Sequence, residues 1–381
     1  MRYKEIISRN LSVNIRLSSF ERENAGEHHA FIEGNDTLLN ANTQYANIEE
    51  AIRSIAEENF PHTATLVMKR YFVSDAVNHE SLLHREKSAN VAVSIVQQAP
   101  LSGAKVALWA YWVENARVNE NGENSVVMQH SAYSHLLDMQ MHSHGNDEFA
   151  QTEDVFTKYT QKLKNAGCSL ADNAVRTWIF VQGVDTHYSD MVEARKQHFN
   201  KCGLTEKTHY IASTGIEGKY IHPETTVLID AYAVRGIAKE QITLLKGASH
   251  LNPTHEYGVT FERAAAVDYG DRRHIFVSGT ASINNKGEIV FPLDVGKQTE
   301  RTLENIAVLL QEGGATMGNV AQMIVYLRDT ADYRVVFSYL EKNYPEIPKT
   351  IVWAPVCRPG WLIEIECIAI CEAKNEKYAA F

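Results

Sequence analysis

Apolar positions recur along this chain with two periods, and the order of those periods repeats three times. Helical spacing is clearest at Leu303, Ile306, Ala307 and Leu310, which give one apolar face to a helix closed by Gly313-Gly314. Ile48, Ala51, Ile52 and Ile55 draw the same stripe earlier in the chain, and Val155, Phe156, Tyr159 and Leu163 draw it in the middle. Each stripe follows a glutamine (Gln44, Gln151, Gln298) that opens the helix. Apolar runs predict a strand after each helix, at Met68 to Val73, Trp178 to Val181 and Met323 to Leu327. A final strand closes each set at Val106 to Val113, Val227 to Val234 and Ile363 to Ile370. In the third set Arg273 to Thr280 reads as a strand ending in a Gly turn. Asn284-Asn285-Lys286-Gly287 reads as a hairpin turn, because Asn and Gly tolerate positive φ. A second helix is predicted through Tyr333 to Leu340. Core packing accounts for every stripe.

A repeat of this kind decides architecture before any single motif does. The order β-β-α-β-α-β gives an α+β sandwich with both helices on one sheet face. Three such units are expected, at 1–116, 128–236 and 256–373, joined by polar connectors near Glu114 to Ser125 and Gly236 to His255. Each unit leaves a sheet face and edges to bury, so three in one chain are expected to close into a pseudo-threefold ring, a monomeric pseudo-trimer.

Bulk properties change this picture little. A 44% hydrophobic and 22% charged composition is ordinary for a globular chain. No apolar run approaches the roughly 18–20 residues of a membrane span, and Met1-Arg2-Tyr3-Lys4-Glu5 lacks a signal-peptide core. Cys168, Cys202, Cys357, Cys367 and Cys371 are scattered without CxxC spacing, which reads as reduced thiols in a cytoplasmic protein. The formal charge of −10, with no Lys/Arg run, disfavours nucleic acid and leaves room for a small anion held by local donors.

Candidate chemistry sits in the last strand of the third unit. Residues two apart in a strand share a face, so Glu364 and Glu366 point the same way unless a bulge intervenes. Close carboxylates, or one in a dry pocket, raise a carboxyl pKa and keep a proton available near neutrality. The matching positions are Ala107 and Trp109 in the first unit and Leu228 and Asp230 in the second. Only the third keeps the pair, which predicts one working cleft. His130, His135, His142 and His144 crowd one region, and His142 and His144 would share a strand face as two metal ligands do. No acidic or cysteine ligand follows at a recognised spacing, so polar strand residues are the better account and no metal or other cofactor is expected.

The segment from His274 to Ile370 resembles the RidA/YjgF/UK114 family, also called the endoribonuclease L-PSP family. The resemblance rests on Phe276-Val277-Ser278-Gly279, the Gly-containing hairpin, Gln298 with Leu303-Glu304-Asn305-Ile306, Gly314, Val325-Tyr326-Leu327-Arg328-Asp329 and Ile363-Glu364-Ile365-Glu366. RidA proteins are homotrimers with clefts between subunits, so three fused copies look like a single-chain trimer. A narrower resemblance, through Ala212-Ser213-Thr214-Gly215-Ile216, Val356-Cys357-Arg358 and Leu362 to Glu366, points to the chorismatase branch, whose members release pyruvate from chorismate.

The resemblance implies roles. Glu364 falls at the family's acid position, with Glu366 beside it. A positioned acid protonates the electron-rich double bond of either an enolpyruvyl ether or an enamine, and the cation that forms is attacked by water or an internal oxygen. Arg358 is a candidate carboxylate clamp. Cys357, seven residues before Glu364, matches a pocket-lining position that tunes the product. Ser213, Thr214 and Gly215 offer a hydroxyl and backbone N–H groups to an anion, against the competing reading of a folding turn. Gly279 and Thr280 match a turn that approaches the substrate carboxylate. RidA deaminases carry an arginine that falls here near Lys349-Thr350, and lysine lacks its bidentate fork. Chorismatases place an arginine- and tyrosine-containing segment before the Ala-Thr-Gly motif; this chain has Glu193 to Asn200 there, with Arg195 as the candidate and a solvated helix face as the competing reading. The expectation is a chorismatase-like enzyme acting on a small carboxylate, with imine deamination and non-catalytic carboxylate binding as alternatives. Some relatives are described as translation-inhibiting ribonucleases, which the acidic charge disfavours.

Overall fold

The computed structural model of the chain describes residues 1–22, 25–83 and 90–381. It holds three six-stranded sheets of one topology, here called units one, two and three. Unit one comprises β1 (Arg2–Ser8), β2 (Val13–Phe20), β3 (Glu27–Gly34), α1 (Ala41–Asn59), β4 (Ala64–Val73), α2 (Glu80–Leu83), β5 (Ala92–Gln97) and β6 (Val106–Glu114). Unit two comprises β7 (Arg117–Glu120), β8 (Ser125–His130), β9 (Tyr133–His142), α3 (Glu148–Asn165), α4 (Leu170–Asn173), β10 (Ala174–Val181), α5 (Val184–Lys201), β11 (Ala212–Glu217) and β12 (Val227–Arg235). Unit three comprises β13 (Ile242–Leu245), β14 (Ala264–Asp268), β15 (Arg272–Ala281), α6 (Val295–Glu312), β16 (Val320–Leu327), α7 (Tyr333–Asn343), β17 (Lys349–Trp353) and β18 (Ile363–Glu372).

Strand order in unit three is β13-β14-β15-β18-β16-β17, and the other two sheets repeat it. Pairing is antiparallel except at one edge, where β4–β5, β10–β11 and β16–β17 run parallel. Each sheet thus carries two strands beyond the four expected. One is this parallel edge strand, only five or six residues long. The other is the opposite edge, where β7 and β13 run through the segments expected to be polar connectors. Short edge strands with solvated faces carry weak hydropathy signals, and Arg117-Val118-Asn119-Glu120 reads as a linker for that reason.

The recurrent glutamine has a structural cause. An Asn or Asp caps the first long helix of each unit: Asn40 accepts from Thr43 N, Asp147 from Ala150 N and Asp294 from Lys297 N. Inside the first turn the glutamine reaches out of the helix and accepts a main-chain N–H at or just before the last strand. Gln44 takes Lys105 N at 2.8 Å, Gln151 takes Thr226 N at 2.9 Å and Gln298 takes Leu362 N at 3.0 Å. In unit three this clamp fixes the chain two residues before Glu364.

The sheets meet about a common axis. Isolated bridges join unit one to two (Gln97–Lys219), one to three (Pro100–Val352) and two to three (Ala212–Glu262 and Ile216–Val356). Inner faces interdigitate through aromatic contacts such as Trp109–Trp178 at 6.3 Å and Tyr232–Phe276 at 5.4 Å. One apolar core runs through all three units, which is how three sheet faces escape water.

Candidate active site

A cleft of about 500 Å³ opens between units two and three. Unit two supplies Ser213, Thr214 and Gly215 from β11 and Tyr188 and Arg195 from α5. Unit three supplies Gly279 and Ala281 from β15, Glu364 from β18, Cys357, Arg358 and Trp361 from the loop before it, and Val259, Phe261 and Arg263 from the segment entering β14. The two units are stitched together here by Ser213 N donating to Ser278 Oγ at 2.9 Å and by Arg328, which joins Asp185 at the start of α5 to the carbonyl of Val356.

A bulge shapes the floor. The register of β15 on β18 shifts between Val277 and Thr280, opposite Glu366. Gly279 lies in that bulge, and its amide donates to Thr214 Oγ1 at 2.9 Å. A β-carbon here would push the Glu364 carboxyl aside, so glycine lets that carboxyl lie against the backbone through close approach rather than backbone conformation. At Gly215 a β-carbon would come 3.0 Å from the Tyr188 ring.

Electrostatics set the protonation of the cleft. Glu364 is 5% exposed, and its pKa is pushed up to about 8, first by burial and then by the charge of Glu366, against the pull of Arg176 and Arg263. Burial, followed by the charge of Glu364, pushes the Cys357 thiol up to about 12. Tyr188 is raised well above the ordinary phenol value, chiefly by burial. At neutral pH the cleft therefore holds an acid proton on Glu364, a neutral thiol and a neutral phenol. Around them stand three guanidiniums. Arg195 is buried and its Nε donates to Thr260 Oγ1 at 3.0 Å. Arg263 donates to Asn252 O at 3.0 Å and Asn252 Oδ1 at 3.1 Å. Arg358 lies 5.2 Å over the Trp361 ring. A cationic pocket with a protonated carboxyl in its wall suits an anionic substrate that needs a proton.

Of the residues singled out from sequence, Glu364, Arg358, Cys357, Ser213, Thr214, Gly215, Arg195 and Gly279 line this cleft. Glu366 and Thr280 do not. Thr280 is buried and its hydroxyl donates to Ser278 O. Glu366 is 1% exposed behind the cleft wall, where it accepts from Arg176 at 2.8 Å, Trp178 Nε1 at 2.6 Å and Thr214 Oγ1 at 2.5 Å. The Thr214 hydroxyl also accepts from Arg176 and Gly279, so it is spent inside the wall and is not offered to a ligand. Arg195, rather than covering a solvated helix face, points inward.

Sequence reasoning passed over Tyr188, Arg263, Phe261, Trp361, Arg176 and Trp178. Arg176 left a signal in the form of a charge inside a fully buried strand, which hydropathy reads as the strand's start. Arg263 and Tyr188 left none, because their proximity depends on which units are neighbours. Lys349 lies elsewhere: its ammonium donates to Tyr344 O and pairs with Glu341, each at 2.9 Å. Register matches Lys349 in β17 to Ser213 in β11, so the cleft has a serine where a deaminase arginine is expected. The four histidines split between two places. His142 ends β9 and packs on Tyr220 at 4.7 Å near His144, which lies beyond the strand, so the two do not share a strand face. His130 and His135 pack on the Phe381 ring at 5.1 Å and 5.0 Å. Among the described residues no three His, Cys, Asp or Glu side chains gather as a metal site, and no helix is long and apolar enough to cross a membrane.

Comparison with known proteins bears on the same region. The family model described as endoribonuclease L-PSP matches residues 262–371. A RutC family protein of Pyrococcus abyssi is 37% identical over 98 residues, covering 25% of this chain and 76% of that protein. The 3-aminoacrylate deaminase RutC of Acinetobacter baylyi is 29% identical over 97 residues, 25% of this chain and 77% of that protein. Among solved structures a chorismatase superposes with a TM-score of 0.63 at 19% identity, covering 80% of this chain and 93% of the other, a likeness of fold. Unit three carries the matched sequence and the whole chain carries the three-unit shape, so the protein belongs to the RutC (RidA/YjgF/UK114, endoribonuclease L-PSP) family as three fused copies.

Proposed function

We propose that the protein cleaves the enolpyruvyl ether of chorismate or a similar small cyclic carboxylate, releasing pyruvate, with Glu364 as general acid. The observation that carries this reading is the Glu364 carboxyl held protonated near neutrality in a cleft ringed by Arg195, Arg263 and Arg358. The arginines supply enough positive charge for a substrate with more than one carboxylate, and a chorismatase shares the fold.

The chemistry balances without an outside reductant or oxidant. Glu364 gives its proton to the terminal methylene carbon of the enol ether, which becomes a methyl group and leaves an oxocarbenium ion. Water adds to the adjacent, cationic carbon to give a hemiketal, and the bond from that carbon to the ring oxygen then breaks. The departing ring oxygen takes a proton, the ketone of pyruvate forms, and Glu364 recovers the proton released by the attacking oxygen. General acid catalysis of this kind contributes about 10²–10⁴-fold.

The RutC relative, a 3-aminoacrylate deaminase, favours a second reading, RidA-type deamination of an enamine or imine substrate. Ser213, at the register position of Lys349, weighs against it, since neither offers a bidentate fork. One assay separates the readings: chorismate is incubated with the wild type and with Glu364→Gln, and pyruvate is followed. Release by the wild type that falls at least about 100-fold in the variant supports the proposal. Release of ammonia from an enamine, with chorismate untouched, replaces it with the second reading. Chorismate that raises the Tm without turnover leaves a carboxylate-binding protein.

A further inference from the structure

We propose that Glu366 is a positioning residue: through Thr214 and Arg176 it holds the Gly279 bulge beneath the Glu364 carboxyl, and it exchanges no proton with substrate. This deepens the acid role assigned to Glu364 and rests on it.

The hydrogen bonds define the state of Glu366. Arg176 and Trp178 bring only donors to it. The Thr214 oxygen already accepts from Arg176 at 2.5 Å and from Gly279 N at 2.9 Å, so its own proton is directed at Glu366 Oε2. Three donors converge on two carboxylate oxygens, and such a group is an acceptor with no proton to give. It is also walled off from the cleft it would have to serve.

A second, independent observation comes from the junction of units one and two. Asp230 stands in β12 where Glu366 stands in β18, and it accepts from Arg70 at 2.8 Å and Ser94 Oγ at 2.5 Å. Ser94 has the register of Thr214: it lies beside Arg70 as Thr214 lies beside Trp178. A bulge falls here too, and its amide, Gln140 N, donates to Asp230 Oδ1 at 2.8 Å. Yet Leu228 occupies the position of Glu364. The assembly of carboxylate, hydroxyl, arginine and bulge amide thus exists where there is no acid to serve. Its common task is to seat the bulge. In unit three the same fixed negative charge lies beside Glu364 and favours its protonated form.

The test reads Glu364 without any substrate. The carbonyl band of its protonated carboxyl is titrated by infrared difference spectroscopy in the ligand-free protein, assigned by its loss in Glu364→Gln. The wild-type midpoint is expected near 8. Glu366→Gln and Thr214→Val are each expected to move that midpoint down by about one pH unit or more, and Thr214→Ser to keep it. Where pyruvate is released, the alkaline limb of kcat/KM moves with the band. An unchanged midpoint in both Glu366→Gln and Thr214→Val overturns the proposal. So does a protonated-carboxyl band near neutrality assigned to Glu366. A wild-type midpoint near 4.5 with no pyruvate release instead overturns the acid reading on which the proposal stands.

Discussion

Two junctions of this molecule share one scaffold and differ in what fills it. Between units one and two, Ile95 occupies the register of Gly215, Gln140 the place of Gly279, His142 that of Ala281 and Leu228 that of Glu364. Gln140 sits at φ +54 and its side chain donates to Ile95 O at 3.1 Å, so the bulge persists while its side chain fills the space. Between units two and three, two glycines and an alanine leave that space empty, and a carboxyl projects into it. The open site is thus made as much by removing side chains as by adding chemistry. At the third junction, between units three and one, β3 pairs with β6 without a bulge, and Trp109 stands where the buried carboxylates stand elsewhere.

The largest expected effect comes from making the open junction resemble the closed one. Glu364→Leu, copying Leu228, is expected to lower pyruvate release by about 10²–10⁴-fold with the fold retained, read by a coupled assay beside circular dichroism. An activity within threefold of wild type breaks the comparison. Next in size is Asp230→Leu at the closed junction, which strands the buried Arg70 guanidinium. A loss of about 3–5 kcal/mol in denaturant unfolding is expected, with the alkaline limb of kcat/KM unmoved.

The third prediction concerns pH. The folded-state pKa of Glu364, about 8, lies above its ordinary 4.5. Above pH 4.5 the unfolded chain releases this proton while the folded protein keeps it. The group's contribution therefore falls as pH rises from 4.5 toward 8 and levels off beyond. Glu364→Gln has no such proton, so its Tm relative to wild type is expected to climb between pH 5 and 8 and then flatten, a change worth at most a few kcal/mol. A pH-independent difference contradicts the buried neutral acid. The smallest effect is expected of Gly279→Ala, whose methyl group displaces the Glu364 carboxyl. It should cost about 1–3 kcal/mol of stability by overpacking, with a shifted alkaline limb in the pH profile.

How far this was legible in sequence follows from range. Gln44, Gln151 and Gln298 exposed the repeat because each performs the same local clamp, and local clamps leave local signatures. Period two in the last strand located Glu364, and the neighbouring Cys357 and Arg358 came with it. Edge strands β7 and β13 were invisible because few of their side chains are buried. Arg176 was hidden for the opposite reason: a fully buried charge looks like the end of a strand unless its partner Glu366, 190 residues later, is known. The surroundings of Glu366 were hidden at the same point. Its shared face with Glu364 was readable, but the three donors converging on it were not.

The Gln97–Lys219, Pro100–Val352 and Ile216–Val356 bridges close the ring within one polypeptide. A cleft built from two separate subunits would dissolve on dilution below their dissociation constant. Here units two and three are tethered by residues 236–241, so one half of the cleft always sees the other at a fixed, high local concentration. Specific activity should therefore hold constant however sparse the protein becomes.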